Sequence, residues 1–200
     1  MALGKQEGIL LRLTEGARVW LTNVFRQQQS GGYWCWAACT SMVLQDLGCN
    51  LEQCDVAGQV LSGNCAKTAK TGPCYQGKAL PCCDVVYRVE EIGDLWNKFC
   101  IHPVQVNHAV TWDDVWSELR AGNPVELFLG SSNEAGASGH LVLIIDAVKG
   151  TSGFRGVLIA DPATDTHEAS PAEFGALQER LRWGPWTWTW TNLRFNQEVE

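Results

Sequence analysis

The sequence predicts an α+β fold, with helices gathered in the first half of the chain and antiparallel strands in the second. In the first half, an apolar helical run begins at Cys35 and ends at Gly48, a residue suited to the end of a helix. In the second half, short apolar runs bounded by turn residues are typical of strands, and they cover 124–129, 140–148 and 156–160. Alternating tryptophan and threonine over 186–191 indicates a last strand.

The length of the chain fits a single domain. Its 200 residues, with a hydrophobic content of 46%, suffice to build one core. The change from helical to strand patterns near residue 101 divides the predicted domain, residues 1–200, into two lobes. The first lobe, about 24–100, is helical and carries a cysteine-rich insert, and the second, about 101–195, is built from strands.

Charge and hydropathy exclude some classes of partner. A formal net charge of −7 argues against nucleic acid as the main partner. No apolar run reaches ~18 residues, so no membrane span is predicted. Lys5, Glu7 and Arg12 interrupt any signal-peptide core. The compartment therefore stays open between secretion and the cytoplasm, no cofactor is indicated, and the oligomeric state is not predicted.

Apolar spacing and turn residues predict the remaining elements. Two short strands are expected within 9–25, and helices over 51–61, 84–99 and 172–181. Thr111 suits a helix N-cap, since acidic residues follow in the first turn and Gly122 ends the pattern. Residues 62–81 show no hydrophobic periodicity, and a loop of that length is either cross-linked or mobile; its cysteines fit the first alternative.

Nine cysteines are many for a chain without an export signal. Eight remain if Cys35 is set aside: Cys39, Cys49, Cys54, Cys65, Cys74, Cys82, Cys83 and Cys100. An even number permits up to four disulfides, which is the favoured interpretation, with free buried thiols as the first alternative. Zinc is less favoured, because the chain has no Cys-x2-Cys pair and no histidine between residues 49 and 100.

Cys35 is the candidate nucleophile. A cysteine on the first turn of a helix faces unpaired backbone N–H groups and the positive end of the helix dipole, which favour the reactive thiolate. Gln29 lies six residues upstream, and its amide could fold back across Gly31 and Gly32 to donate to an oxyanion beside Cys35. The alternative is a buried helix cysteine after a polar loop.

The motif Gln29-x5-Cys35-Trp36-Ala, with Ala38 following, resembles the signature of papain-like cysteine proteases. Its Cys-Trp-Ala-Ala form is most similar to the compact bacterial branch that includes plant-pathogen effector proteases. The resemblance implies a papain-like two-lobed fold, with the nucleophile on the helical lobe and the histidine and aspartate on the β lobe. One departure is Tyr33-Trp34, where the family usually has a small pair. We expect Trp34, Trp36 and Gly139 to line the substrate cleft.

A thiol nucleophile needs a base, and His140 is the candidate. It follows Gly139 and opens the most apolar strand, and this stretch also resembles the family. The alternative is a satisfied core histidine. The other three histidines suit the surface or an acidic stretch: His102, His108 and His167.

Asp161 is the candidate group for orienting His140. It ends the strand 156–160, and an antiparallel neighbour of the His140 strand would bring the carboxylate to the imidazole. The resemblance also implies a third triad member at this Asp-Pro. The alternative is a turn-forming aspartate before proline. Three residues are runners-up for the role: Asp146, Asp165 and Asn192.

The resemblance implies a cysteine endopeptidase acting on a protein or peptide through a Cys-His-Asp triad, a thioester and a glutamine-assisted oxyanion hole. One alternative is a thiol acyltransferase or transglutaminase-like enzyme, which amine or acyl incorporation would distinguish from peptide cleavage. A bacteriocin-leader peptidase is a close cousin, and a non-catalytic, cysteine-stapled secreted binding module is the alternative from another class.

Overall fold

The computed structural model describes residues 17–20, 27–61, 74–76, 78–130, 139–150, 153–163, 170–179 and 184–195. Within them, the chain forms five α-helices: α1 Cys35–Asp46, α2 Gln53–Val60, α3 Ile92–Asn97, α4 Trp112–Arg120 and α5 Phe174–Glu179. A 3-10 turn, Val89–Glu91, precedes α3. The strands are β1 Ala17–Trp20, β2 Cys74–Tyr75, β3 Lys78–Ala79, β4 Val104–Val106, β5 Val125–Gly130, β6 Gly139–Lys149, β7 Arg155–Ala160, β8 Ser170–Glu173 and β9 Trp186–Thr191.

One antiparallel sheet organises the molecule, and it confirms the α+β class. Its strand order is β4-β9-β5-β6-β7-β8, with β1 pairing to the far half of β6. β6 is eleven residues long, and every residue between its two ends is buried. The short hairpin of β2 and β3 stands apart from this sheet.

Helices cover both faces of the main sheet. Core residues of α1, α2 and α3 pack on one face in a single apolar cluster that includes Leu141 and Leu143. Core residues of α4 and α5 pack on the other face in a cluster that includes Val142 and Ile144. This alternation along β6 is the period-2 pattern of a strand buried on both sides, as its near-continuous apolar sequence requires.

Two register shifts change which side chains share a face. The β6–β7 register shifts between Ile144 and Asp146, so beyond it Ala147 joins the α4 side and Val148 the α1 side. The β5–β9 register shifts between Phe128 and Leu129. As a result Trp186 packs with α4 and α5, whereas Trp188 and Trp190 stack at 6.3 Å on the α1 side. The alternating tryptophans of the last strand therefore do not share one face.

The start and end of α1 agree with the sequence prediction. The helix begins at Cys35, and the backbone N–H groups of Gly48 and Cys49 donate to the carbonyls of Gln45 and Leu44 at 3.0 and 2.8 Å. This is the Schellman pattern, and it places Gly48 at φ +87°, where a side chain would be strained. Thr111 caps α4 as predicted, and Gly122 follows it at φ +86°.

The prediction of a helix over 84–99 is wrong for the first part of this range. Residues 84–88 are not helical, and only the 3-10 turn and α3 form. The reason is tertiary: the backbone carbonyls of Cys83 and Val85 accept hydrogen bonds from Trp34 and Trp36, so this stretch lies against α1 instead of coiling. The prediction of a helix over 172–181 missed the end of β8: within the described part of this range, the helix begins at Phe174 and not at residue 172. Most of 9–25 lies outside the described residues, but β1 is a strand.

The cysteines differ in whether their thiols are free. Cys35, Cys39, Cys49 and Cys100 are free thiols, so three of the eight cysteines considered for disulfides are not in one. Cys54, Cys82 and Cys83 are not free. The disulfides expected for this part of the chain, and the division into two lobes, stay predictions. Within the described residues, no helix is long and apolar enough to cross a membrane.

Candidate active site

A cleft of about 190 Å³ opens where the N-terminus of α1 meets the start of β6. Cys35, Gln29 and His140 all line it. Two elements bring them together: α1 packs on the sheet over Leu141 and Leu143, so the first residue of α1 lies beside the first residues of β6. The polar residues of the cleft thus come from distant parts of the chain.

Cys35 is the first residue of α1 and is half-buried. At this position the backbone N–H has no acceptor within the helix, so it is available to a ligand in the cleft. The helix has no acidic residue in its first turn that would compete for this positive end. The site therefore combines a thiol with a backbone donor on one residue.

His140 connects the thiol to a carboxylate. Its Nε2 lies 2.6 Å from Oδ1 of Asp161, and its side chain also forms a hydrogen bond with Cys35. Because Nε2 is engaged by Asp161, Nδ1 is the ring nitrogen that remains for the sulfur. The imidazole thus lies between Cys35 and Asp161, with one nitrogen for each.

The protonated form of His140 is stabilised. Burial alone would lower the pKa of His140, but the hydrogen bonds to Asp161 and Cys35 and the charges of these two groups raise it from 6.5 to about 9. An imidazolium at neutral pH is a proton donor and a counter-ion for a thiolate.

Asp161 is held in place by its own loop. It follows β7, which pairs antiparallel with β6 so that Ala160 lies opposite Leu143, and the end of β7 therefore returns toward His140. The Oδ1 atom that binds His140 also accepts the backbone N–H of Ala163 at 2.8 Å. Two donors thus fix the carboxylate oxygen that faces the imidazole.

Gln29 lies at the rim of the same cleft. Its Nε2 donates to the carbonyl of Gly32 at 2.8 Å, which uses one of the two amide hydrogens. Its Oε1 is buried and has no hydrogen-bond partner among the residues that the structure describes. The amide therefore has a fixed orientation and a second hydrogen for an acceptor in the cleft.

The family model of the Peptidase_C39 like family matches residues 21–186, a span that contains every residue of this arrangement. The chain belongs to the Peptidase_C39 like family. The crystal structure of a candidate C39-like peptidase from Bacillus anthracis is similar to this chain, with a TM-score of 0.58 and 15% identity, over 88% of this chain and 98% of that one. At this identity, the likeness shows a common fold. No curated protein matches.

Membership of the Peptidase_C39 like family confirms the resemblance to papain-like cysteine proteases, and it identifies the chain as a cysteine peptidase. Because the family assignment says nothing of the narrower branch, the similarity to plant-pathogen effector proteases stays a prediction.

Of the residues expected to line the cleft of this family member, two do so. Trp36 and Gly139 line it, while Trp34 is fully buried and donates from Nε1 to the carbonyl of Cys83 at 2.8 Å. Gly139 has no room for a side chain, since a Cβ there would lie 2.3 Å from the Leu129 carbonyl oxygen. Trp36 packs on Tyr87, with ring centroids 5.0 Å apart.

The runner-up residues lie elsewhere. His102 and His108 are exposed, and the first contacts Asn97 at 2.6 Å. Asp146 is buried in the sheet, and Asn192 donates to the backbone of His102. His167 and Asp165 lie outside the described residues. Within the residues that the structure describes, no cluster of His, Cys, Asp and Glu has the arrangement of a metal site.

Sequence reasoning missed the apolar wall of the cleft and one carboxylate. Val86, Tyr87 and Phe128 line the cleft, and Asp84 binds the loop before Cys35. No motif marks these residues: Val86 and Tyr87 lie in the stretch predicted to be helical, and Phe128 lies in an apolar run that predicts only a strand. The only local feature of the sequence that draws attention to Asp84 is its position directly after two adjacent cysteines, Cys82 and Cys83.

Proposed function

We propose that the chain is a cysteine endopeptidase that hydrolyses peptide bonds through Cys35, His140 and Asp161. One observation carries the proposal: the ring of His140 binds Asp161 through Nε2 at 2.6 Å and is also hydrogen-bonded to Cys35. A nucleophile, a base and an orienting group in this order are the requirement for thiol catalysis.

In the acylation step, the thiolate of Cys35 attacks the carbonyl carbon of the scissile bond. The oxyanion accepts hydrogen bonds from the Cys35 backbone N–H and the second hydrogen of Gln29 Nε2. The imidazolium of His140 gives its proton to the leaving amine, the C–N bond breaks, and a thioester forms. Trp36 closes the cleft beside the thiol and limits access of water.

In the deacylation step, neutral His140 takes a proton from water as the water attacks the thioester. The same donors stabilise the second oxyanion, and the acid leaves as the thiolate and imidazolium return. Asp161 keeps the imidazole in one orientation through both steps, and its negative charge stabilises the imidazolium.

A peptide-library digestion tests the proposal. We expect cleavage by the wild-type chain, none by Cys35→Ala or His140→Ala, and full cleavage by His102→Ala, in which an exposed histidine away from the cleft is removed. Incorporation of a labelled amine in place of hydrolysis would assign the site to acyl transfer instead. Cleavage that persists in Cys35→Ala would overturn the proposal.

We also propose that disulfides staple the cysteine-rich stretch and exclude Cys35. Support comes from the free thiols of Cys35, Cys39, Cys49 and Cys100, and from Cys54, Cys82 and Cys83, which are not free. Mass spectrometry of non-reduced, acid-quenched protein should find every disulfide within 54–83. Bound zinc in stoichiometric amount would contradict this.

A further inference from the structure

We propose that Asp84 is a positioning residue for the oxyanion hole, acting through the peptide group between Gly32 and Tyr33 on the amide of Gln29. This inference rests on the proposed function, because it concerns the donor that Gln29 supplies to the reaction.

The carboxylate of Asp84 binds the loop before Cys35 with both oxygens. Oδ2 accepts the backbone N–H of Gly32 at 2.8 Å, and Oδ1 accepts that of Tyr33 at 2.9 Å. Each carboxylate oxygen therefore accepts one backbone N–H, and together the two oxygens bind two successive peptide groups.

One of these peptide groups also holds Gln29. The N–H of Tyr33 and the carbonyl of Gly32 belong to the same planar unit, and that carbonyl accepts from Gln29 Nε2 at 2.8 Å. Asp84 thus holds the N–H end of the plane while Gln29 binds its C=O end. If this plane rotated, the acceptor that orients the amide of Gln29 would turn away from it.

The close approach of Asp84 leaves little room for a side chain at either glycine of the loop. A Cβ on Gly31 would lie 2.7 Å from Oδ1 of Asp84, and a Cβ on Gly32 would lie 3.2 Å from Oδ2. Neither glycine has a φ in the left-handed region, so their role is to admit the carboxylate and not to form a strained turn.

Asp84 is itself anchored on both sides. The ring N–H groups of Trp34 and Trp36 donate to the carbonyls of Cys83 and Val85 at 2.8 and 3.2 Å. The backbone N–H of Asp84 donates to Leu80 at 2.9 Å. The motif around Cys35 therefore fixes the backbone of Asp84, and the side chain of Asp84 fixes the loop of that motif.

The test compares two small reagents at Cys35, each followed by mass spectrometry of the Cys35 peptide. p-Nitrophenyl acetate acylates the thiolate through a tetrahedral oxyanion: the S–C bond forms, the ester C–O bond breaks, and p-nitrophenolate leaves with the electron pair. Iodoacetamide alkylates by displacement of iodide and forms no oxyanion. Only the first reaction depends on the oxyanion hole.

In Asp84→Asn, which keeps the shape but places an amide N–H against one backbone donor, we expect acylation to slow by at least about tenfold while alkylation stays within about twofold. Asp84→Ala should show the same slower acylation and nearly unchanged alkylation. The matched control is Asp55→Asn, since Asp55 also accepts a backbone N–H, from Glu52, but belongs to α2. Equal slowing of both reagents, or of neither, would overturn the proposal.

A double variant tests whether Asp84 acts through Gln29. Gln29→Ala should slow acylation, and adding Asp84→Asn should slow it little further, because the amide that Asp84 orients is gone. Additive losses would contradict the proposed route. If the wild type is acylated at Cys35 but cleaves no peptide, the peptidase assignment fails while the reagent comparison still decides the role of Asp84.

Discussion

The backbone N–H of Gln29 donates a 2.8 Å hydrogen bond to the carbonyl of Pro162, the residue that follows Asp161. The loop that carries Gln29, the proposed oxyanion donor, is therefore joined directly to the loop that carries Asp161. Since Asp161 binds His140 and His140 binds Cys35, this bond connects the Gln29 loop to the contacts that run from Asp161 to Cys35 along the cleft. A shift of either loop would change the positions of Gln29 and Asp161 together.

Removal of the Gln29 amide should lower turnover without unfolding the protein. Loss of one oxyanion donor costs on the order of 10²–10³ in kcat. Steady-state kinetics of Gln29→Ala should show this loss with little change in melting temperature. Gln28→Ala, an exposed neighbour, is the matched control. Wild-type kcat in Gln29→Ala would remove this residue from the mechanism.

Asp161→Ala should cost less activity than His140→Ala, because in the proposed mechanism Asp161 orients the base and transfers no proton. Asp161→Asn keeps one acceptor oxygen, so it should retain more activity than Asp161→Ala. The measurement is kcat/KM for the three variants. If Asp161→Ala is as active as wild type, the role passes to Asp146, to Asp165 or to no residue.

The two cysteines of α1 should differ sharply in reactivity. Cys39 is fully buried, and burial, together with nearby Glu126, raises the pKa of its thiol well above 9.0. Ordinary thiols are almost wholly protonated at pH ~6, so limited iodoacetamide at that pH should modify Cys35 first, with loss of activity in step. Cys100, an exposed free thiol, is the internal reference.

The same labelling depends on His140. His140→Ala should slow modification of Cys35, because the thiolate loses its cationic partner. Labelling of Cys39 in place of Cys35, or a Cys35 rate indifferent to His140, would contradict the assignment of the nucleophile.

The pKa of about 9 for His140 predicts an alkaline limit. Activity should fall as pH rises through about 9, where the imidazolium is lost. Stability follows the same group: its folded pKa is above the unfolded value of 6.5, so its contribution is complete below pH 6.5 and disappears between 6.5 and 9.

The contribution of protonated His140 to stability is on the order of 3 kcal/mol. Urea titrations of wild type and His140→Gln should therefore show a difference in unfolding free energy that shrinks from pH 6 to pH 9.5. A difference that is constant across this range would mean that His140 titrates as it does in the unfolded chain.

Glu126 is a buried acid that should destabilise the fold as pH rises. Burial raises its pKa from 4.5 to about 8, although a 2.8 Å hydrogen bond from Trp96 opposes this. The folded state thus keeps a proton that the unfolded chain releases, so stability falls from pH 4.5 to pH 8. The loss is on the order of 3–5 kcal/mol.

In Glu126→Gln the part of this pH dependence that Glu126 causes should disappear, which leaves the decline that His140 causes above pH 6.5. The readout is the change in unfolding free energy between pH 5 and pH 8, since the cost of burying the new amide is the same at both. Glu173→Gln, an exposed carboxylate on β8, is the control. A variant that loses stability over this range as steeply as wild type would show that Glu126 is not the titrating group.

The sequence predicted the parts of the site that depend on local geometry. The start of α1 at Cys35 follows from a polar loop before an apolar run, and its end follows from Gly48. The contact of His140 with Asp161 follows from strand register, because antiparallel neighbours return the end of one strand to the start of the other.

What the sequence could not predict depends on tertiary contacts. The spacing of Val85, Val86 and Val89 fits a helix as well as it fits an extended wall, and only the bonds from Trp34 and Trp36 decide between them. Glu126 is the one charged residue in an otherwise apolar strand, and nothing in the sequence predicts that its side chain is fully buried. Asp84 belongs to no motif, and its role requires the loop to be in place.

The two tryptophans of the Cys35 motif bind backbone carbonyls and not side chains. The identity of the side chains at Val85 and Val86 is therefore irrelevant to how that wall is attached, and Val86 is 64% exposed at the mouth of the cleft. The backbone of this stretch thus attaches it to the tryptophans, while its side chains line the cleft. Replacing the residue at 86 would reshape the entrance to the cleft while the two hydrogen bonds that attach this wall are left in place.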